Sequence, residues 1–179
     1  MIRALPGSIG SALQQLRDLQ ICDFEEIREL PETVSQLQHL TLLKVLAPKL
    51  TSIPDGIIAS SRLCDLDLSR CKALQKLPSL LTQLGWLNAL SLEKTSISSL
   101  PPGFAQLTRP RTLSLYHCEL LEALPDDLTE LKGLQYLNIK GCKQVTDGMP
   151  SALRCGLEDM HGLTIEGFQF VRNMVVNVI

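Results

Sequence analysis

Asp65 and Asp67 stand two residues apart in Leu63-Cys64-Asp65-Leu66-Asp67-Leu68. On an extended chain that spacing sets both carboxylates on one face. Such a pair does acid–base work when an apolar wall raises one of the two pKa values, and no pocket-forming sequence adjoins it here. His39, His117 and His161 are the only histidines, and none stands in a nucleophile or metal motif. Six cysteines could hold zinc or pair as disulfides, but a zinc site needs convergent spacings such as C-x-x-C, and none occurs. The residues therefore predict no catalysis, no metal and no cofactor. The aromatic and charged side chains of one recurring stripe are left as candidates for contact with a partner, and the elements that carry them decide how.

Those elements repeat. Starting each unit at the first leucine of LxxLxL, the units begin at Leu16, Leu40, Leu63, Leu87, Pro110 and Leu134, in steps of 24, 23, 24, 23 and 24 residues. A fixed period of this length marks a solenoid, in which no unit buries its own apolar face and stacked neighbours complete one core. Alternation through Leu66-Asp67-Leu68 predicts a half-buried strand. The return segment, Leu74 to Leu84, spaces its leucines around Leu77-Pro78, and proline withholds a ladder hydrogen bond while fixing φ, so an irregular or short-helical convex side is expected. Cys71, Cys118 and Cys142 occupy the ninth place of their units, just past the strand. A small donor there can bond the backbone carbonyls of adjacent turns, so the thiols read as a structural ladder.

Composition narrows the class further. The chain is 45% hydrophobic but 4% aromatic, as a thin core of leucine requires, and carries 17 basic against 19 acidic residues for a net charge of −2. No charge excess draws it towards nucleic acid or an anionic membrane. No apolar run reaches the roughly 20 residues needed to span a bilayer, and the N-terminus lacks a secretory signal. With no N-x-S/T acceptor and cysteines that suit reduced thiols, the chain reads as intracellular and cytoplasmic.

Residues 1–15 read as a partial unit, with Leu5-Pro6 matching Leu30-Pro31, and residues 16–153 as six units of one elongated domain. Unit four, with Thr95 at the ninth place, is a residue shorter and should turn differently after its strand. Unit five opens on Pro110, tolerable at the first residue of a strand. Unit six, through Cys142 to Met149, lacks a Leu-Pro pair. From Arg154 the repeat is lost, and residues 154–179, with Leu157, Met160, Leu163, Ile165, Phe168, Phe170, Val171, Val175, Val176 and Val178, read as an apolar capping tail, strand or helix.

Leu87 to Pro101 resembles the LxxLxLxxTxIxxLP unit, and the stretches ending at Pro78 and Pro125 resemble LxxLxLxxCxxLxxLP. The mixture is similar to the leucine-rich repeat region of plant intracellular nucleotide-binding disease-resistance proteins, over about residues 16–150. The resemblance implies an α/β solenoid, a horseshoe with a parallel concave sheet. It also implies a role in sensing a partner or restraining a nucleotide-binding module, as in defence signalling. No G-x-x-x-x-G-K-[ST] is present. Unit six, with Cys142 and Val145-Thr146-Asp147-Gly148, is similar to the cysteine-containing repeats of F-box substrate receptors. That likeness implies the substrate-receptor arm of a ubiquitin ligase as an alternative, and a regulatory piece of a nucleotide-switching or catalytic protein is a second.

In a leucine-rich repeat the third, fifth, seventh and eighth places line the concave face. The candidate partner-binding residues are Asp65, Asp67, Arg70, Glu93, Tyr116, His117, Tyr136, Asn138 and Lys140, with Tyr116, His117, Tyr136 and Lys140 expected to cluster. Asp18, Asp23, Asp65 and Asp67 tint the other end acidic, and unit two contributes Leu42, Lys44, Leu46 and Ala47. The expected partner is a protein or another domain of a longer chain. Six strands about 4.8 Å apart give a face of about 400 Å², against the ~800 Å² that a standard interface buries per side. Binding by this face alone should be weak.

Overall fold

The computed structural model describes residues 4–22, 24–60 and 62–167. Within them one sheet of seven parallel strands runs in sequence order: β1 (Asp18–Cys22), β2 (Leu42–Leu46), β3 (Asp65–Asp67), β4 (Ala89–Ser91), β5 (Thr112–Ser114), β6 (Tyr136–Asn138) and β7 (Thr164–Glu166). Register follows the repeat. Asp65 lies opposite Leu42 and Ala89, and Thr112 opposite Ala89 and Tyr136, so third places pair with third places. The fourth and sixth places (Leu43 and Val45, Leu66 and Leu68, Leu90 and Leu92, Leu113 and Leu115, Leu137 and Ile139) are buried. Alternation thus puts leucine on the core side and leaves the third, fifth and seventh places on the open side.

The return segments are 3-10 helices Glu32–Gln36, Asp55–Ala59, Ser79–Gln83, Phe104–Gln106 and Asp126–Glu130. Four of them follow a proline (Pro31, Pro54, Pro78, Pro125) whose φ lies between −64° and −53° and whose missing N–H would lack a partner at a helix start. Four bury their central residue, Val34, Ile57, Leu81 or Leu128, and the shorter fourth helix buries its first, Phe104. The chain then re-enters the sheet through an N–H from the first leucine of the next unit. Leu40, Leu63, Leu87 and Leu134 each donate to the carbonyl three residues back. Pro110 has no N–H to donate. There Leu107 swings to an extended ψ of 115°, and the helix before it is only 3 residues long, entered through Gly103 at φ +72°.

The ninth-place ladder is formed. Cys71 Sγ donates to Val45 O at 3.2 Å, Cys118 Sγ to Leu92 O at 3.0 Å and Cys142 Sγ to Leu115 O at 2.9 Å, each reaching the preceding unit's sixth place. Thr95 donates instead to Leu92 O in its own unit at 2.8 Å and meets Cys118 Sγ at 3.5 Å. Unit four matches its neighbours up to that threonine and differs beyond it. Leu74 and Leu121 close a turn onto the Cys71 and Cys118 carbonyls, whereas Ser96 N reaches back to Leu74 O in the preceding unit.

Residues 143–167 are more regular than their sequence reads. Met149-Pro150 supplies the missing apolar–proline pair, and Pro150 precedes helix α3 (Ser151–Glu158), which follows α2 (Lys143–Gly148); α1 (Ile9–Ala12) plays the same part in residues 1–15. Leu153 and Leu157 of α3 and then Met160 are buried, and Leu163 and Ile165 pack on the core as β7 joins β6. The repeat therefore resumes with Thr164 at a third place. Phe168, Phe170, Val171, Val175, Val176 and Val178 lie outside the described residues, as does Asp23. Leu13, ahead of the first full unit, is exposed at 45%, whereas Leu37 is buried.

Candidate binding face

The eighth place closes each strand from unit three onward, and it does so in the left-handed region: Arg70 φ +65°, Lys94 φ +56°, His117 φ +55° and Gly141 φ +85°. That backbone turns the chain under the sheet so that the ninth-place donor points inward. The conformation costs a residue with a side chain about 1–2 kcal/mol, and only unit six uses glycine. Three cationic or ionisable side chains are thereby aligned along one rim of the open face. Unit two has no such turn. Ala47, expected on the face, is buried, and Leu50 donates to its carbonyl as Leu74 does to that of Cys71.

On the face itself the fifth and seventh places are cross-linked. Lys44 Nζ meets Asp67 Oδ2 at 2.9 Å, Asp67 Oδ1 accepts from Ser69 N at 3.0 Å, Ser69 Oγ pairs with Ser91 Oγ at 2.9 Å, and Ser114 Oγ donates to Glu93 Oε1 at 2.8 Å. Burial pushes the Asp67 carboxyl up, but hydrogen bonds from Ser69 and Lys44 outweigh it and hold the group below its ordinary value. Lys44 is correspondingly raised, first by its hydrogen bond to Asp67. A carboxyl depressed in this way is a poor general acid, and Asp65 stays exposed between its half-buried third-place neighbours Leu42 and Ala89. Among the described residues no group of three or more His, Cys, Asp or Glu could hold a metal ion.

The expected tyrosine cluster divides in two, because Tyr116 is a seventh-place residue and Tyr136 a third-place one. Continuing the register sets Tyr116 against Lys140 and Tyr136 against Thr112. Four residues along a strand is about 13 Å. Around Tyr116, the His117 ring stands edge-on at 4.4 Å and Lys94 Nζ lies 5.6 Å from the tyrosine centroid. His117 Nδ1 is 3.3 Å from Glu119 Oε1. Around Tyr136, Asn138 Nδ2 donates to the phenol at 3.1 Å and to Glu166 Oε2 at 3.2 Å, while Asn138 Oδ1 accepts from Lys140 N at 3.0 Å. Asn138 is buried and fully engaged, so it braces the face instead of contacting from it. Partial burial and Glu166 together raise the Tyr136 phenol.

One lateral feature lies outside the stripe expected from the sequence. The chain's only tryptophan, Trp86, is 52% exposed, with the Arg109 guanidinium 3.9 Å from its ring centroid. Both residues immediately precede the first residue of a unit, a place not counted among the candidates. The repeat itself carried the signal: Arg62, Trp86 and Arg109 recur at that place ahead of units three, four and five.

No family model matches the chain, and no curated protein does. Solved structures do. The leucine-rich repeat domain of the type III effector XopL matches 92% of this chain and 72% of its own length, at 23% identity and a TM-score of 0.60. The fold is that of a leucine-rich repeat solenoid. A leucine-rich repeat protein of Leptospira interrogans matches at 24% identity and a TM-score of 0.53, over 81% of this chain and 51% of its own. The plant peptide hormone receptor RGFR1, solved in complex with RGF2, matches at 19% and 0.55, and the 93% of this chain that aligns spans 34% of the receptor chain. No helix among the described residues of the solenoid is long and apolar enough to cross a membrane.

Proposed function

We propose that this leucine-rich repeat solenoid is a protein-recognition module and not an enzyme, and that its partner docks on the open face of the sheet. The observation that carries the reading is the outward row of Asp65, Arg70, Glu93, Tyr116, His117, Tyr136 and Lys140, set on strands whose other face is sealed in leucine. Tyrosine offers broad, stiff, amphipathic contact, and such residues dominate interface energetics. The likeness to a receptor solved with RGF2 bound supports a peptide or protein ligand. The Thr- and Cys-type units support defence signalling in the cytoplasm as the setting, with the receptor arm of a ubiquitin ligase as the alternative raised by unit six. Seven strands widen the face to about 29 Å, or about 500 Å² for strands about 17 Å long, still below the ~800 Å² that a standard interface buries per side, so the partner also engages the rims or the tail.

The test is affinity capture with the wild-type chain beside Tyr116→Ala/Tyr136→Ala, both checked for folding by circular dichroism. A direct partner, once identified, should bind the double variant some 30-fold more weakly, as loss of about 2 kcal/mol requires. Binding unchanged by both substitutions would move the site off the open face.

A further inference from the structure

We propose that the lateral groove beside Trp86 is a second binding site, separate from the open face, that takes an acidic segment of a protein partner. A concavity of about 450 Å³ is lined there by Trp86, Arg109 and Arg111, with Asn88, Gln135 and Thr108 among the other lining residues. It is built by repetition. Trp86, Arg109 and Gly133 each precede a unit's first residue, while Asn88, Arg111 and Gln135 are each a second-place residue, so the wall and floor climb one unit at a time. Gly133 opens the groove at its upper end by presenting no side chain. A Cβ there would meet only Pro110 O, at 3.7 Å, so the space is free rather than forbidden.

The charge of the groove selects the occupant. Two guanidinium groups line it and no carboxylate does. Neither Arg109 nor Arg111 has an ion pair among the described residues. The Arg109 guanidinium carbon lies 3.9 Å from the Trp86 ring centroid, and its N–H fork, in no ion pair among the described residues, is of the kind that grips a carboxylate with two parallel hydrogen bonds. Trp86 holds that fork in place before any ligand arrives, which lowers the ordering entropy of binding. Arg111, two residues on, supplies a second carboxylate contact, and the exposed amides of Asn88 and Gln135 suit the backbone of an extended segment. A half-exposed tryptophan beside arginines is also the composition in which interface energy concentrates.

Trp86 is the only tryptophan, so its emission reports on this groove without a label. Hexaglutamate titrated into the whole chain at low salt should shift that emission saturably, with hexalysine inert. Arg109→Gln/Arg111→Gln should weaken the response about tenfold or more, and Arg109→Lys should weaken it while keeping the charge. Gly133→Leu should block the groove by filling it with no change of charge. Tyr116→Ala/Tyr136→Ala should leave the response intact, so its failure is distinguishable from failure of the open-face reading. No saturable shift with a folded chain would overturn the proposal, as would a shift that survives Arg109→Gln/Arg111→Gln. Equal competition by inorganic phosphate would also overturn it, since the groove would then read anions and not an acidic peptide.

Discussion

Arg70→Gly should make the protein more stable, although it removes a charged residue from the candidate binding row. Arg70 sits at φ +65°, a conformation that costs an L-residue about 1–2 kcal/mol and glycine nothing. Against that gain, glycine gives the unfolded chain extra freedom worth about 0.5–1 kcal/mol. The side chain holds little back: it is exposed, and its charge acts on Lys44, whose ammonium pKa it lowers. The net is a gain of about 0.5–1 kcal/mol, or roughly 1–4 °C in the unfolding midpoint of a chain this size. The comparison that isolates the backbone is Arg70→Ala, which removes the same guanidinium but keeps the strain, and which should leave stability near wild type. Far-UV circular dichroism on heating and in urea reads both variants. An Arg70→Gly protein no more stable than Arg70→Ala would show that the left-handed turn carries no strain and sink the reasoning. Lys94→Gly should gain less, because it also loses the cation–π contact with Tyr116, worth about 0.5–1 kcal/mol at an exposed site.

The converse substitution, Gly141→Ala, should destabilise by about 1–2 kcal/mol from its φ of +85°, and further because the new Cβ would lie 2.8 Å from the His117 ring; a lower urea midpoint checks it. Thiol labelling near pH 8 should separate the cysteines by burial. Cys155, exposed, reacts first and Cys22 and Cys64 more slowly; Cys71, pushed up to about 11 by burial, reacts only on unfolding, with Cys118 and Cys142. Labelling of those three at the rate of Cys155 would contradict the ladder. Asp67→Asn should lower stability by less than about 1 kcal/mol at neutral pH, because both partners of the pair are partly exposed. The folded pKa of Asp67 lies below its ordinary 3.8, so the contribution is present above that value and is lost as pH falls through the folded pKa. A stability difference between wild type and Asp67→Asn that persists undiminished at about pH 2 would refute the assignment.

The scaffold was legible because its determinants are local and periodic. Aliphatic residues at the fourth and sixth places recur from unit to unit, prolines precede four of the five 3-10 helices, and the ninth-place cysteines announced a bond that does join neighbouring units. The end was less legible because the last step is longer: β7 begins 28 residues after β6, behind an eight-residue α-helix in place of a 3-10 turn. Met149-Pro150 carried the signal, since methionine fills the apolar position before the proline as leucine does elsewhere.

The binding residues were harder to place, because a place in the unit fixes which face a side chain occupies but not what its neighbour does to it. Asn138 and Tyr116 both point to the open side by alternation, yet one is buried under three hydrogen bonds and the other remains half-exposed. The difference lies in Glu166, one strand further on, on a segment whose pairing could not be read. The same logic explains Trp86. At its own position it is an exposed tryptophan; it becomes part of a prepared site through Arg109, 23 residues later at the same place, and through the empty position at Gly133 beyond that. A solenoid turns sequence distance of one period into a contact of about 4.8 Å, so its surface chemistry is written across columns of the repeat. Reading such a chain column by column, including the places outside the strand, is what brings the arginine–tryptophan contact into view.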